Sequence, residues 1–380
     1  MTPVYITKAA VFYPNDPVSN EEMEQYLGMI NGVPSLARRI VLGKNGIKSR
    51  YYALDKEGNV THTNAQIAAN AIRNLLDDKI GLNDIDLIAC GTSSPEQLLP
   101  SHGVMVRGEL GGARNVEAAS FSGACCTGIQ AMRYAYMSIL TSSAKNAVCC
   151  GSERMSAWMT ARYFEKETEM FSQIEKRPIL AFEKEFLRWM LSDGAAALLL
   201  QNKPTDNTIS LHIDWIEITS FAYEMETCMY AGGEKSKDGS LLSWTMFPET
   251  EWLTKSLFSL KQDTRILGEN IVQLGGRYLL EVAKKRNFNA NDIDWFLPHL
   301  SSFLFKGQII SEFEKIDFYI PEEKWFFNLP KIGNIGSASP FAMVEELLYS
   351  GKLKKGEKIL LMIPESARFS YSYCMLTVVN

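Results

Sequence analysis

The sequence predicts an α/β protein built from two duplicated halves, each a mixed sheet flanked by helices, and three observations carry that prediction. The first is an internal repeat. Residues 83–94 read NDIDLIACGTSS and residues 291–302 read NDIDWFLPHLSS, with the same polar entry, apolar strand core and Ser-Ser exit. The second is a matched pair further along each copy, KNAVCCGSE at 145–153 and EKILLMIPES at 357–366, both apolar strands after a charged turn. The third is alternation: amphipathic helix patterns, NAQIAANAIRNLLDDKI and GGRYLLEVAKKRNF, precede the two copies, which favours α/β layers over all-α or all-β packing.

In chain order, MTPVYITKAAVFYP alternates as a strand does, and it lacks the basic and long apolar regions of a secretion signal. No later uncharged apolar run reaches membrane-spanning length, so a cytoplasmic protein is expected. Residues 1–205 form the first expected half and 206–380 the second. Residues 155–185 mix aromatics with charges and have no counterpart in the second copy, so they are read as an inserted cap or dimer arm. No low-complexity linker separates the halves, which implies tight packing.

Composition excludes several classes. With 380 residues, 46% hydrophobic and 22% charged, the chain has the balance of a globular protein. A net charge of −5 with scattered Lys and Arg offers no footprint for nucleic acid. Seven cysteines, with no CxxC pair and no His-rich spacing, argue against a disulfide framework or structural metal. Cys149 and Cys150 are expected on opposite faces of one strand.

The residues that could carry chemistry gather at three places. In SFSGACCTGIQAMRYAYMSIL, residues 120–140, an apparent strand end passes through small residues into helical spacing at Ile129, Met132, Tyr136 and Ile139. Cys125 and Cys126 therefore fall at a helix N-terminus, whose dipole is expected to lower a thiol pKa and to stabilise a substrate anion. Of the four histidines, His62 lies in a polar turn, His212 on an alternating strand and His102 after a proline at a helix start. His299 stands at a strand end, at the position where the repeat changes from Gly91. In KIGNIGSASPFAMVEELL, Asn334 occupies a glycine-flanked turn before a helix, either as a turn former or as a functional carboxamide; no GKS or GKT follows to make a phosphate loop.

Taken together, ACCTG, DWFLPH and GNIGSAS resemble, in order and spacing, the ketoacyl-acyl-carrier-protein synthase III group of the thiolase fold. NGIKSR at 45–50, LLPSHG at 98–103 and SDGAAALLL at 192–200 extend the resemblance over nearly the whole chain. The resemblance implies a thiolase-like αβαβα arrangement of five layers. It also implies Cys126 as acyl-accepting nucleophile with Cys125 packed behind it, and His299 and Asn334 as hydrogen-bond partners of the second thioester carbonyl. An oxyanion hole would come from the Cys126 and Ala367 N–H groups. No cofactor is implied. The implied partners are acyl carrier protein or coenzyme A thioesters and a second copy in a homodimer, with Leu99 reaching the partner's acyl tunnel. A Cys, a His and an Asn suit Claisen condensation, which needs one group to hold an acyl chain and donors aimed at the enolate of the other.

Departures from the group's housekeeping members narrow the resemblance. A glycine run near the C-terminus is replaced by Ser366-Ala367-Arg368-Phe369, the Gln and Asn usual after the histidine by Leu300 and Ser302, and an adenine-stacking Trp by an aliphatic residue near Ile40. These features look more like ketosynthases of dialkylresorcinol, stilbene and flexirubin-type pathways, which join a β-ketoacyl to an unsaturated acyl thioester and close a cyclohexanedione. Arg368 and Phe369 are then expected substrate contacts, with Arg368 a cation beside a carbonyl or nascent carboxylate, or else directed to the surface. The alternatives are fatty-acid initiation from an acyl-coenzyme A and an inactive partner subunit.

Overall fold

The computed structural model describes residues 2–112, 114–162 and 187–380. Most of the expected insertion at 155–185 lies outside the described residues. Its entry, Ser156–Met159, is a short helix.

Nine strands carry the architecture: β1 (Tyr5–Phe12), β2 (Leu87–Thr92), β3 (Glu117–Ser122), β4 (Asn146–Glu153), β5 (Gly194–Gln201), β6 (Ser210–Ser220), β7 (Trp295–Pro298), β8 (Lys358–Glu365) and β9 (Ser370–Val379). They run in the order β7-β8-β9-β6-β1-β5-β4-β2-β3. The order contains the duplication strand by strand. In the first half β2 pairs parallel to β4, β4 antiparallel to β5, and β5 antiparallel to β1. In the second half β7, β8, β9 and β6 repeat the same three pairings in the same senses. Beside β2 lies β3, whereas beside β7 a single parallel bridge from Phe296 to Trp325 takes that place. The two mixed sheets expected from sequence are joined into one ladder where Tyr5 and Ile6 of β1 meet His212 and Leu211 of β6.

The layers follow from strand alternation. On β4, Ala147 and Cys149 face one core while Val148 and Cys150 face another, so the adjacent cysteines do lie on opposite faces. The outer core of the first half packs Ile88, Cys90 and Leu199 under helix α1 (Asn64–Arg73), where Ile67, Ala68 and Ile72 form the apolar stripe. A capping box between Thr63 and Gln66 starts that helix. Helix α2 (His102–Leu110) adds Val106 to the same face. The outer core of the second half packs Leu360, Met362, Tyr371 and Tyr373 against α4 (Thr264–Arg286) and α5 (Lys306–Lys315). Between the sheets, α3 (Thr127–Leu140) and α6 (Ser339–Leu348) share one core with Ala89 and Leu198 from the first half and Leu361 and Cys374 from the second. Five layers, αβαβα, result.

Two close approaches seat the segment leading into α6, one against the start of α3 and one against the end of β4. A Cβ on Gly128 would lie 2.2 Å from the Ser337 carbonyl oxygen, so glycine alone lets the start of α3 touch the segment leading into α6. Gly336 adopts φ +49°, and a Cβ there would come within 2.8 Å of a Glu153 carboxylate oxygen.

Candidate active site

A cavity of about 770 Å³ opens at the carboxyl ends of the strands of both halves. From the first half, the loop after β2 supplies Leu98, and the turn after β3 supplies Cys125. From the second half, β7 ends at Pro298 and delivers His299, whose backbone N–H continues the ladder to the Met362 carbonyl at 2.8 Å. Asn334 arrives from a turn opened by Gly333 at φ +71°. That turn is locked on both sides: Asn334 N donates to Met190 O at 3.0 Å, and Asn334 O accepts from Ser192 N at 2.9 Å. Its side-chain Oδ1 accepts from Gly336 N at 2.9 Å, which orients the carboxamide and leaves Nδ2 as its donor end. Most of the remaining wall is apolar, including Trp158, Met190, Leu260 and Ile271.

His299 is 3% exposed, and burial pulls its pKa down to about 4. The imidazole is thus neutral at pH 7, able to donate one hydrogen bond without bringing a charge. The other histidines are engaged elsewhere. His102 Nε2 meets Ser152 Oγ at 2.8 Å, His212 Nδ1 meets Asp214 Oδ1 at 2.6 Å, and His62 meets Thr61 Oγ1 at 3.0 Å. Only His299 of the four lines the cavity.

The cysteine pair differs from expectation in two respects. Cys125 lines the cavity and is half-buried, while Cys126 is fully buried behind it, the reverse of the expected order. Cys126 is the N-cap of α3, and Sγ turns toward the Ile363 carbonyl at 3.4 Å and the Ser372 hydroxyl at 3.5 Å. Nor is the thiol acidified. Burial first, and the neighbouring Glu365 carboxylate second, hold the Cys126 thiol well above its ordinary pKa, and the same two causes raise Cys125. The helix N-terminus is present, but desolvation outweighs it.

Glu365, which the sequence analysis passed over, ends β8 and accepts the backbone N–H of Cys126 at 3.2 Å. Its isolated acidic letter at the end of an apolar strand was the available signal. Ala367 lines the cavity, and its carbonyl is fixed by the N–H groups of Cys228 and Met229 at 2.9 and 3.2 Å.

Two expected substrate contacts, Arg368 and Phe369, do not line this cavity. Arg368 is exposed and its Nε donates to the Met225 carbonyl at 3.0 Å, because the turn after β8 directs it outward. Phe369 is wholly buried in the outer core of the second half. Leu99, expected at a partner copy's tunnel and not at this wall, is 87% exposed, while its neighbour Leu98 contributes to the wall. Leu300, by contrast, does line the cavity, and Ser302 caps a following turn by accepting from Leu304 N at 3.2 Å. Among the described residues no group of three or more His, Cys, Asp or Glu is placed to hold a metal, and no helix is long and apolar enough to cross a membrane.

Duplicated α/β halves that bring a cysteine turn, a neutral imidazole and an oriented carboxamide around one largely apolar cavity have the makings of a thioester-condensing enzyme. Known proteins give the same answer. Residues 283–363 match the family model described as 3-oxoacyl-[acyl-carrier-protein (ACP)] synthase III C terminal, and residues 115–205 match that of the β-ketoacyl synthase N-terminal domain. A β-ketoacyl-[acyl-carrier-protein] synthase III of Clostridium perfringens is 25% identical over 366 residues, covering 93% of this chain and 92% of its own. Among solved structures, the tetronic acid condensing enzyme AbyA1 aligns with a TM-score of 0.75 at 19% identity, over 98% of this chain and 99% of its own. OleA of Xanthomonas campestris also aligns at 0.75, with 20% identity over 99% of this chain and 98% of its own. The chain is a β-ketoacyl synthase III-like condensing enzyme of the thiolase fold.

Proposed function

We propose that this enzyme forms a carbon–carbon bond between two acyl thioesters in the cavity shared by its halves, with Cys126 carrying the first acyl group. His299 and Asn334 hydrogen-bond the carbonyl of the second thioester and stabilise its enolate, while the Cys126 and Ala367 N–H groups receive the oxyanion. The observation that carries this reading is the convergence of His299 and Asn334, from separate elements of the second half, on the cysteine turn of the first. A neutral imidazole and a carboxamide held by its own Oδ1 suit enolate stabilisation, because neither must shed a proton or a partner before donating. A specific observation favours a second reading, in which Cys125 is the acyl acceptor: Cys125, and not Cys126, lines the cavity.

The proposed substrates are a β-ketoacyl thioester and an unsaturated acyl thioester on an acyl carrier, with closure to a cyclohexanedione. Support comes from the cavity, which is larger than an acetyl primer requires and apolar along most of its wall, and from Leu300 where housekeeping members carry a polar residue. The discriminating assay supplies acetyl-coenzyme A with malonyl-carrier in one mixture, and the β-ketoacyl and unsaturated acyl thioesters in another. A cyclic product in the second mixture is expected. Acetoacetyl-carrier from the first, with no cyclic product from the second, returns the protein to fatty-acid initiation.

The protein is proposed to act as a homodimer. Adjacent Leu98 and Leu99, 80% and 87% exposed, present apolar surface at the edge of the cavity. Sedimentation at working concentration is expected to give twice the chain mass, and a monomer there contradicts the assignment.

A further inference from the structure

The duplication that builds the fold also duplicates a buried carboxylate. Glu153 is the last residue of β4 and Glu365 the last residue of β8, the matched strands of the two halves. Each reaches across to the other half. Glu153 accepts the Ser337 backbone N–H at 3.0 Å, in the segment entering α6, and Glu365 accepts the Cys126 backbone N–H at 3.2 Å, at the start of α3. Ser337 and Cys126 are therefore counterparts.

Their side chains behave differently. The Ser337 hydroxyl also donates to Glu153, at 2.7 Å, so one carboxylate holds both the N–H and the side-chain proton of the same residue. Glu153 has further donors in Ser93 N, at 3.1 Å, and Ser94 Oγ, at 2.7 Å, and is saturated as a cross-brace. In the other copy the side-chain position on the carboxylate is not taken. Cys126 Sγ is turned instead to the Ile363 carbonyl, and rotation about its Cα–Cβ bond is the motion that would carry it toward the carboxylate that already holds its own N–H. Glu365 is otherwise held by the Ala124 backbone and the Ser370 side chain, and no cation offsets its charge among the described residues.

We propose that Glu365 is the proton acceptor for the Cys126 thiol during acyl loading. The proton passes from Sγ to the Glu365 carboxylate, and the thiolate attacks the thioester carbon. The bond from that carbon to the carrier sulfur then breaks, and the departing carrier thiolate takes the proton back from Glu365. The transfer has a second consequence: a neutral carboxyl holds the Cys126 N–H less tightly than a carboxylate does, so the donor is released for the oxyanion as the nucleophile forms. This rests on Cys126 as the acyl-bearing residue.

The test is single-turnover loading from an acyl thioester, read by intact mass and peptide mapping, for the parent, Glu365→Gln and Glu365→Asp. The groups facing Glu365 are the Cys125 and Cys126 thiols at the start of α3 and the Ser370 hydroxyl on β9. Burial raises the Glu365 pKa above its ordinary value, so parental loading climbs with pH as that carboxyl ionises, above the usual carboxylate range. Glu365→Gln is expected to fold, to slow loading about 10²-fold or more, and to lose this limb, with Glu365→Asp restoring part of the rate. Removing a negative charge that only repels the thiolate produces the opposite result. Loading by Glu365→Gln at or above the parental rate therefore overturns the proposal. Parental label on Cys125 overturns both this proposal and the reading beneath it, whereas label on Cys126 with unimpaired Glu365→Gln overturns this one alone.

Discussion

Cys126→Ala is expected to abolish acyl loading, a loss of more than about 10³-fold against a parent that takes up one acyl group per chain. Intact mass after brief exposure to an acyl thioester checks it. The small side chain fits the site, since Cys126 is packed among Ile363, Ser372 and the start of α3 and alanine removes a single buried sulfur. Folding should survive with a modest loss of thermal stability, so absent loading reports chemistry. Cys125→Ala is expected to retain much of the loading, because Cys125 neither caps α3 nor has its N–H on Glu365. If instead Cys125→Ala loses loading and Cys126→Ala keeps it, the cavity-lining Cys125 is the nucleophile.

His299→Ala and Asn334→Ala are expected to load the acyl group at near-parental rates yet fail to condense, each losing about 10²–10³-fold in turnover. Both residues belong to the second half of the cavity wall, where the second carbonyl is proposed to bind, while the proposed loading step draws on the cysteine turn of the first half. The imidazole is already neutral at pH 7, so condensation should not acquire a histidine limb until pH falls toward about 4. Asn334→Asp is a more demanding variant. It keeps the Oδ1 contact to Gly336 but replaces the donor with a buried charge, and should condense no better than Asn334→Ala. Accumulation of acyl-enzyme, followed over time by mass, separates a condensation defect from a loading defect.

Much of the fold was legible because repetition is visible in letters. The NDID entries, the two apolar strands after charged turns and the alternation of Cys149 with Cys150 translate directly into β2 and β7, β4 and β8, and the two faces of one strand. His299 was legible because it interrupts the repeat, and Asn334 because glycines mark its turn. Other features depend on three-dimensional facts that one-dimensional spacing does not contain. Which of two adjacent cysteines faces a cavity depends on how the turn enters α3. Whether a helix dipole lowers a thiol pKa depends on competing desolvation and on a carboxylate brought from 239 positions away. Arg368 turns outward to Met225 because the connection from β8 to β9 sets its direction. Glu365 was written at the end of EKILLMIPES, matching the Glu of KNAVCCGSE, but its partner lies in the other half and only the closed fold joins them.

The central claim is that one acyl group rides on the cysteine turn and is then joined to a second thioester by donors from the other half. The most direct measurement loads the parental enzyme with a β-ketoacyl thioester, maps the added mass, then adds the unsaturated acyl-carrier thioester and follows both enzyme mass and product. The account predicts label on Cys126, loss of that label on addition of the second substrate, and a product containing both acyl carbon skeletons. Label on any residue other than Cys126, or label that leaves only as the free acid, contradicts it.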